Sequence, residues 1–80
     1  MHIKILYFAQ LAELAQKTEE TRSLQAGDTV ATLYAELQQA YKFPHELTQI
    51  QVARNHQLSA HQSPLQSGDT LAFLPPMAGG

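Results

Sequence analysis

Apolar residues alternate with other residues near both ends of this 80-residue chain. Ile3, Ile5 and Tyr7 occupy every second position near the N-terminus, and Leu71 and Phe73 do the same close to the C-terminus. This period of two predicts a β-strand over residues 3–8 and another over residues 70–74.

The first strand has apolar residues on both faces. If Ile3, Ile5 and Tyr7 point into the core, Leu6 and Phe8 lie on the opposite face, where an antiparallel sheet usually carries polar groups. We therefore expect a second layer or a binding partner to cover that face.

Between these strands, apolar residues recur at steps of three and four and predict one long amphipathic helix. The apolar positions are Val30, Leu33, Tyr34, Leu37 and Tyr41. Asp28 or Thr29 can cap the start of this helix, and Lys42 suits the dipole at its end. Pro44 stops the helix because it disfavours an α conformation at Phe43.

The remaining segments are short. The patterns predict a helical turn over residues 9–15, a polar turn over 17–20, strands over 21–24 and 50–53, and a turn over 54–58 that leads to a short edge strand or loop up to Pro64. Asn55 is suited to the left-handed conformation that such a turn requires.

This order of elements indicates an α+β fold of the β-grasp type, with a mixed sheet of four to five strands and one main helix across one face. The first and last strands are expected to be parallel neighbours at the centre of the sheet. Leu6, Phe8 and Leu74 would then emerge on the open face. Residues 1–75 form the predicted domain, and residues 76–80 form a flexible tail.

Two ten-residue segments of the chain have closely similar sequences. LQAGDTVATL begins at Leu24 and LQSGDTLAFL begins at Leu65. We interpret the match as the same turn chemistry used twice and not as a duplicated unit, since repeat folds need at least three copies. The first copy leads into the helical pattern and the second into the alternating one.

Composition excludes several kinds of site. The chain has no cysteine, a formal charge of −2 and only four glycines, so thiolate chemistry, a nucleic-acid surface and a glycine-rich nucleotide loop are not expected. The four histidines show no ligand spacing, so no metal site is expected; they are His2, His45, His56 and His61. The N-terminus lacks the apolar run of a signal peptide, which predicts a cytoplasmic protein.

The last residues, Pro75-Pro76-Met77-Ala78-Gly79-Gly80, carry the candidate chemistry. Pro75 and Pro76 cannot continue strand pairing, and Gly79 and Gly80 lack side chains that would block entry to a narrow channel. If the chain ends at Gly80, its carboxylate is a poor electrophile at neutral pH and must be activated. A partner that uses ATP could form an acyl-adenylate, from which a sulfur nucleophile displaces AMP to give a thiocarboxylate.

At these residues the chain resembles the small, sulfur-carrier subunits of molybdopterin synthase, which are ubiquitin-like β-grasp proteins. The resemblance rests on three segments: Phe8-Ala9-Gln10, the Pro64-Leu65 and Gly68-Asp69 pairs, and the stretch from Phe73 to Gly80. It spans nearly the whole chain and is most specific over residues 72–80.

The resemblance implies a function and a set of partners. Gly80 would be adenylated by an activating enzyme related to the ubiquitin activators, thiocarboxylated, and inserted into a large catalytic subunit in a two-plus-two assembly. There the carrier would donate sulfur to cyclic pyranopterin monophosphate, so the active site is expected on the large subunit. This chain would bind no cofactor, since the ATP is used by the activating enzyme.

The resemblance also implies a contact surface for the large subunit. Phe8, Leu58 and Leu74 correspond by position to the apolar contact residues of the family. Leu74 stands where phenylalanine is more usual, and Arg54 replaces an apolar residue before the Asn55 turn.

Three alternatives remain open from the sequence. A sulfur carrier of thiazole synthesis shares the fold and the Gly-Gly end, although it is typically shorter and lacks the Pro-Pro step. A ubiquitin-like modifier would conjugate Gly80 to lysines of other proteins. An interaction module would use only the Phe8 face.

Overall fold

The computed structural model describes residues 1–76, which form a five-stranded sheet packed against two α-helices. The elements in chain order are β1 (His2–Tyr7), α1 (Ala9–Ala15), β2 (Glu19–Ser23), α2 (Val30–Tyr41), a 3-10 helix (Leu47–Gln49), β3 (Gln51–Arg54), β4 (Gln57–Leu58) and β5 (Thr70–Leu74). The strand order is β2-β1-β5-β3-β4, with β1 and β5 parallel and the other pairs antiparallel. The predicted α+β fold, with parallel first and last strands at the centre, is confirmed.

The core lies between one face of the sheet and the helices. Ile5 of β1 and Leu71 of β5 are register partners, and both are fully buried against the apolar stripe of α2. The predicted helix face is confirmed, because the buried residues of α2 are Val30, Leu33, Tyr34 and Leu37. The predicted inward face of β1 is confirmed too, since Ile3, Ile5 and Tyr7 are at most 2% exposed.

Local side-chain chemistry sets both ends of α2. Thr29, one of the two predicted caps, is the N-cap: its hydroxyl accepts from the Thr32 amide at 3.2 Å, and the Thr32 hydroxyl accepts from the Thr29 amide at 2.8 Å. These bonds satisfy donors that the first helical turn leaves free. At the other end Lys42 adopts a left-handed conformation with φ of 58°, and the helix stops before Pro44 as expected.

The predicted boundaries of β2 were wrong. Residues 17–20 were expected to form a turn, but β2 begins at Glu19, and Glu20 pairs with Ile5. The sequence pattern misled because Glu20 is a charged residue that points towards the helix side of an edge strand. Its charge is accommodated there by hydroxyl and cationic groups from three other segments.

Glu20 is the centre of this polar cluster. Its Oε1 accepts hydrogen bonds from the hydroxyls of Tyr7 and Tyr41, the latter at 2.6 Å. Lys17 Nζ and Arg22 Nε lie 3.8 and 3.6 Å from its Oε2. Burial alone would raise the pKa of the Glu20 carboxyl, but the bonds from Tyr41 and Tyr7 outweigh it and hold the pKa below its usual value.

Two smaller boundaries also differ from expectation. Ile50 was predicted to open β3, but it ends the 3-10 helix, and β3 begins at Gln51. The turn predicted over residues 54–58 is shorter, because β4 already begins at Gln57. Of the two structures expected after this turn, an edge strand or a loop, the edge strand is present. The turn between β3 and β4 has φ of 53° at Asn55 and 73° at His56, so the predicted left-handed Asn55 is confirmed.

The two Gly-Asp-Thr copies build the same turn. Gly27 and Gly68 have φ of 89° and 90°. In each copy the aspartate accepts from the amide three residues earlier: Asp28 from Gln25 at 3.0 Å, and Asp69 from Gln66 at 2.8 Å. The first turn leads into α2 and the second into β5, which supports the interpretation of shared turn chemistry.

His56→Gly should stabilise the fold. A two-residue hairpin turn with positive φ at both positions favours glycine at the second, and histidine there has an unfavourable left-handed backbone. We expect the free energy of unfolding to rise by about 0.5 to 1 kcal/mol, after allowing for the greater freedom of glycine in the unfolded chain. Urea denaturation measures this change. Gln57→Gly, in the adjacent extended strand, should instead lower stability, and a loss in both variants would contradict the argument.

Glu20→Gln should change how stability depends on pH. A carboxyl whose pKa is lower in the folded state stabilises the fold above its unfolded pKa of about 4.3, and this contribution is lost as the pH falls. We expect Glu20→Gln to cost roughly 1 kcal/mol at pH 7, since hydrogen bonds to a charged acceptor are lost, and less at pH 3. Thermal unfolding at both pH values tests this, with the exposed Glu19→Gln as control. A cost that is the same at both pH values would refute it.

Candidate functional site

One row of register partners crosses all five strands on the sheet face opposite the helices. The row contains, in strand order, Glu19, Leu6, Ala72, Ala53 and Leu58. Side chains of directly paired residues point to the same face of a sheet, so these five share one face. Four of the five are apolar, and the charged member lies at the edge strand.

A second apolar pair lies at the tail end of the same face. Leu74 is the last paired residue of β5 and is half-buried. Phe8 follows Tyr7, the register partner of Phe73, and keeps an extended backbone with φ of −128° and ψ of 151°. The alternation of the strand therefore continues and sets Phe8 beside Leu74 on this face.

We call these six residues the outer apolar surface: Leu6, Phe8, Ala53, Leu58, Ala72 and Leu74. Phe8 is 43% exposed and Leu58 is 74% exposed, whereas the other four are half-buried. The buried residues of both helices belong to the cluster on the opposite face. Within residues 1–76, no helix lies over the outer apolar surface. This face was expected to be covered by a second layer or by a binding partner, and residues 1–76 supply no second layer.

A polar band borders the outer apolar surface on the side away from the tail. Lys4 is in register with Thr21 on one neighbouring strand and Thr70 on the other. Lys4 Nζ also lies 3.3 Å from Glu19 Oε2 at the edge of the sheet. Exposed ion pairs of this kind contribute little to stability. Charges at the border of a contact surface instead influence which partners bind and how fast they associate.

The chain leaves the sheet next to the outer apolar surface. Pairing of β5 ends at Leu74, and Pro75 and Pro76 follow directly, as expected from residues that lack a backbone donor. A groove of about 320 Å³ lies at this point between residues 48–51 and residues 74–76. The tail residues predicted to carry the chemistry lie outside the described residues; they are Met77, Ala78, Gly79 and Gly80.

The structure brings the three predicted contact residues, Phe8, Leu58 and Leu74, to one face. Ala53 and Ala72 were not predicted as members of this face, because the small alanine side chain contributes little to an apolar pattern. The alternation of side chains along a strand could have placed them on this face, since Ala53 follows the buried Val52 and Ala72 precedes the buried Phe73.

A metal-binding cluster and a membrane-spanning helix are both absent from the described residues. Within residues 1–76, no three His, Asp or Glu side chains are grouped so that they could hold a metal ion. In the same range, no helix is both long and apolar enough to cross a bilayer. The outer apolar surface, with Phe8 and Leu58 exposed, is a candidate contact surface for another protein.

The chain is similar over nearly its whole length to several small proteins of known structure or function. A curated molybdopterin synthase sulfur carrier subunit from Mycobacterium tuberculosis is 32% identical over 80 residues, which cover 98% of this chain and 96% of the relative. Among solved structures, a putative molybdopterin converting factor, subunit 1, from Pyrococcus furiosus has a TM-score of 0.84 and 27% identity, over 96% of this chain and 99% of that one. Small archaeal modifier protein 1 of Haloferax volcanii has a TM-score of 0.81 and 27% identity, over 95% and 98%.

These relatives share a ubiquitin-like β-grasp fold, and each matches nearly end to end. The ThiS family model matches residues 5–80, which is almost the whole chain. The chain therefore belongs to the ThiS family.

Proposed function

We propose that this protein is the sulfur-carrier subunit of a molybdopterin synthase and that the carboxyl group of Gly80 carries the sulfur. The observation that carries the proposal is the match of the ThiS family model through Gly80, together with a curated relative that bears this name. The apolar face beside the root of the tail supports it, because a carrier must dock on the enzymes that load and unload its terminus.

Loading begins with activation by a partner. The Gly80 carboxylate attacks the α-phosphate of ATP on an adenylating enzyme, pyrophosphate leaves, and an acyl-adenylate forms. A sulfide equivalent then attacks the acyl carbon, and AMP leaves with the former carboxylate oxygen. The product is a thiocarboxylate. ATP belongs to the partner's chemistry, and this chain needs no bound cofactor.

Unloading returns the carrier to its carboxylate form. In the large catalytic subunit the thiocarboxylate sulfur attacks a carbon of cyclic pyranopterin monophosphate, and an oxygen substituent leaves that carbon as the carbon–sulfur bond forms. Water then hydrolyses the acyl–sulfur bond. The sulfur stays on the pterin, and Gly80 regains an oxygen. Each carrier delivers one sulfur, so the two sulfurs of a dithiolene require two loaded carriers. The catalytic groups are expected on the large subunit, and this chain acts as a non-catalytic sulfur donor in the cytoplasm.

The outer apolar surface is the proposed contact with the large subunit. Phe8 and Leu74 lie beside the point where the tail leaves the sheet, so docking there brings the tail to the partner. A tail of five residues from Pro76 to Gly80 reaches on the order of 15 Å when extended. The partner's active site is therefore expected within that distance of Pro75 in the docked carrier.

Protein modification is the second candidate function. The observation that favours it is the similarity to small archaeal modifier protein 1 over most of both chains. A modifier would form an isopeptide bond between Gly80 and a lysine, whereas a sulfur carrier would end in a thiocarboxylate. A thiazole-type carrier would load in the same way but unload on a different acceptor. Mass spectrometry of the loaded protein separates modifier from carrier, and the assay with the large subunit separates the two carriers.

Deletion of Gly80, or Gly79→Val, should abolish sulfur transfer without affecting stability. The deletion removes the group that is activated, and a valine side chain blocks a channel that admits only glycine. We expect transfer to pyranopterin to fall below detection with the large subunit, while the urea midpoint stays unchanged. Met77→Ala is the matched control and should keep activity. A Gly80 deletion that still supports molybdopterin formation would refute the proposed function.

Phe8→Asp should weaken binding to the large subunit by 2 kcal/mol or more, or roughly thirtyfold, as is typical of a central contact residue. Leu14→Asp is the matched control: Leu14 is also 43% exposed, but it lies on α1 and outside the outer apolar surface. Isothermal titration calorimetry gives both affinities. Equal losses in the two variants would show that the Phe8 face is not the docking site.

A further inference from the structure

The carboxylate of Asp69 is the only buried charged group among residues 1–76 and lies directly before β5, at the opposite end of that strand from Pro75. It is 5% exposed. It accepts from Arg54 Nε at 2.8 Å and from Asn55 Nδ2 at 3.0 Å, in addition to the Gln66 amide of its own turn. Burial by itself would raise the pKa of this carboxyl, but the bonds from Arg54, Gln66 and Asn55 outweigh it and lower the pKa.

Asn55 adds two more bonds to the same place. The backbone N–H of Asn55 donates to the Thr70 carbonyl at 2.8 Å, and the side-chain Oδ1 of Asn55 accepts from the backbone N–H of Thr70 at 2.9 Å. We call Arg54, Asn55, Asp69 and Thr70 the Asp69 cluster. The cluster joins the turn of the β3–β4 hairpin to the first residues of the central strand β5.

The side chain of the equivalent aspartate in the first Gly-Asp-Thr copy makes no such connection, although the Asp28 backbone carbonyl accepts from the Leu65 amide at 3.0 Å. Asp28 accepts from the Gln25 amide at 3.0 Å and from the Thr32 hydroxyl at 3.3 Å, both within four residues of itself. The turn therefore needs only the local bonds. The bonds that Asp69 makes to Arg54 and Asn55 are additional to turn formation, and what they add is a fixed position for the hairpin.

The hairpin needs this attachment because β4 is short. Only two residue pairs join β4 to β3, Ala53 with Leu58 and Arg54 with Gln57, and β4 is the edge strand. Isolated two-stranded pairings are marginally stable in water. After Leu58 the chain is held again, by the Ser59 amide on the Val52 carbonyl at 2.8 Å. Leu58 thus lies between two anchors, and the Asp69 cluster is the anchor at the turn.

Leu58 is also the most exposed member of the outer apolar surface, at 74%. It makes little contact with the core that could hold it in place. A side chain that is ordered before docking loses less conformational entropy on binding than one that is mobile. The position of the hairpin therefore bears directly on how well Leu58 serves as a contact.

We propose that the Asp69 cluster is a positioning device for docking: by fixing the β3–β4 turn, Asn55 and Asp69 hold Leu58 ready for contact with the large subunit. Asn55 and Asp69 are positioning residues that act through Leu58 and touch no partner themselves. This inference rests on the proposed function, since it requires docking through the outer apolar surface.

Asn55→Gly removes the two bonds that the Asn55 side chain makes, to Asp69 and to the Thr70 amide, and keeps the Arg54–Asp69 bond. It also keeps the left-handed backbone, which glycine adopts readily. His56→Gly is the matched control: it introduces the same residue one position later in the same turn, and the His56 side chain makes none of the cluster's bonds. We expect Asn55→Gly to weaken binding to the purified large subunit about fivefold per folded molecule, the effect of ordering one or two side chains on binding. His56→Gly should leave the affinity unchanged.

Combination with Leu58→Ala separates positioning from a merely structural role. Leu58→Ala should weaken binding about tenfold in the wild-type background and no more than about threefold in the Asn55→Gly background, because a mobile Leu58 contributes less. Calorimetry of the four proteins gives this coupling, and the urea midpoints show that each is folded. If the two losses add independently, or Asn55→Gly changes stability alone, the positioning inference is overturned.

The same experiment tests the proposed function separately. If wild-type protein does not bind the large subunit, or if neither Phe8→Asp nor Leu58→Ala weakens binding, the proposed docking itself fails. If both weaken binding but Asn55→Gly does not couple to Leu58→Ala, the docking stands and only the inference about the Asp69 cluster fails.

Discussion

The parallel pairing of β1 with β5 is the interaction on which the rest of this structure depends. Ile5 and Leu71, register partners at the centre of the sheet, are fully buried against α2. Because the pairing is parallel, the ends of both strands lie at the same edge of the sheet. Phe8, where the chain turns into α1, and Leu74, where it enters the tail, are therefore neighbours. The candidate docking residues and the root of the tail come together as a direct result of the way the core is formed.

The same pairing explains why one face of the sheet remains apolar. The burial of Ile3, Ile5 and Tyr7 on one side leaves Leu6 and Phe8 on the other, and both helices are committed to the first side. A contiguous group of exposed apolar residues promotes aggregation of a protein that has no binding partner, because such groups favour association. Here they lie beside a Pro-Pro step and a polar band that contains Lys4 and Glu19. That arrangement is what a small carrier needs if its partners must recognise the body while they act on the tail.

The two polar clusters, one near each edge of the sheet, stabilise different parts of the fold. Glu20 joins β2 to the ends of β1 and α2 through the hydroxyls of Tyr7 and Tyr41, so it supports the core side. Asp69 joins the β3–β4 turn to β5 and so supports the hairpin that presents Leu58. Both carboxylates are ones that burial would disfavour, and both are kept charged by several donors. Each of the two edge regions of this small sheet is thus held by a charged acceptor.

The sequence by itself determined the elements whose signals are local or periodic. The alternation of Ile3, Ile5 and Tyr7, the steps of three and four in α2, and the donor-free Pro75 and Pro76 each follow from backbone geometry and side-chain polarity within a few residues. From these the β-grasp order, the inward face of β1 and the open face with Leu6, Phe8 and Leu74 could be predicted. The chemistry of the tail was predicted from the groups that the chain has and lacks, and it stays a prediction.

Only the tertiary structure decided the features that depend on partners distant in sequence. Glu20 looked like a turn residue because its hydroxyl donors, Tyr7 and Tyr41, are 13 and 21 residues away. Asp69 looked equivalent to Asp28, since both lie in the same ten-residue pattern, until folding set Asp69 against Arg54 and Asn55. The pairing that completes the outer row, Ala53 with Leu58 and with Ala72, also depends on strand register. Local sequence specifies what each segment prefers, whereas the free energy of a buried charge or a paired edge strand depends on the groups that folding brings beside it.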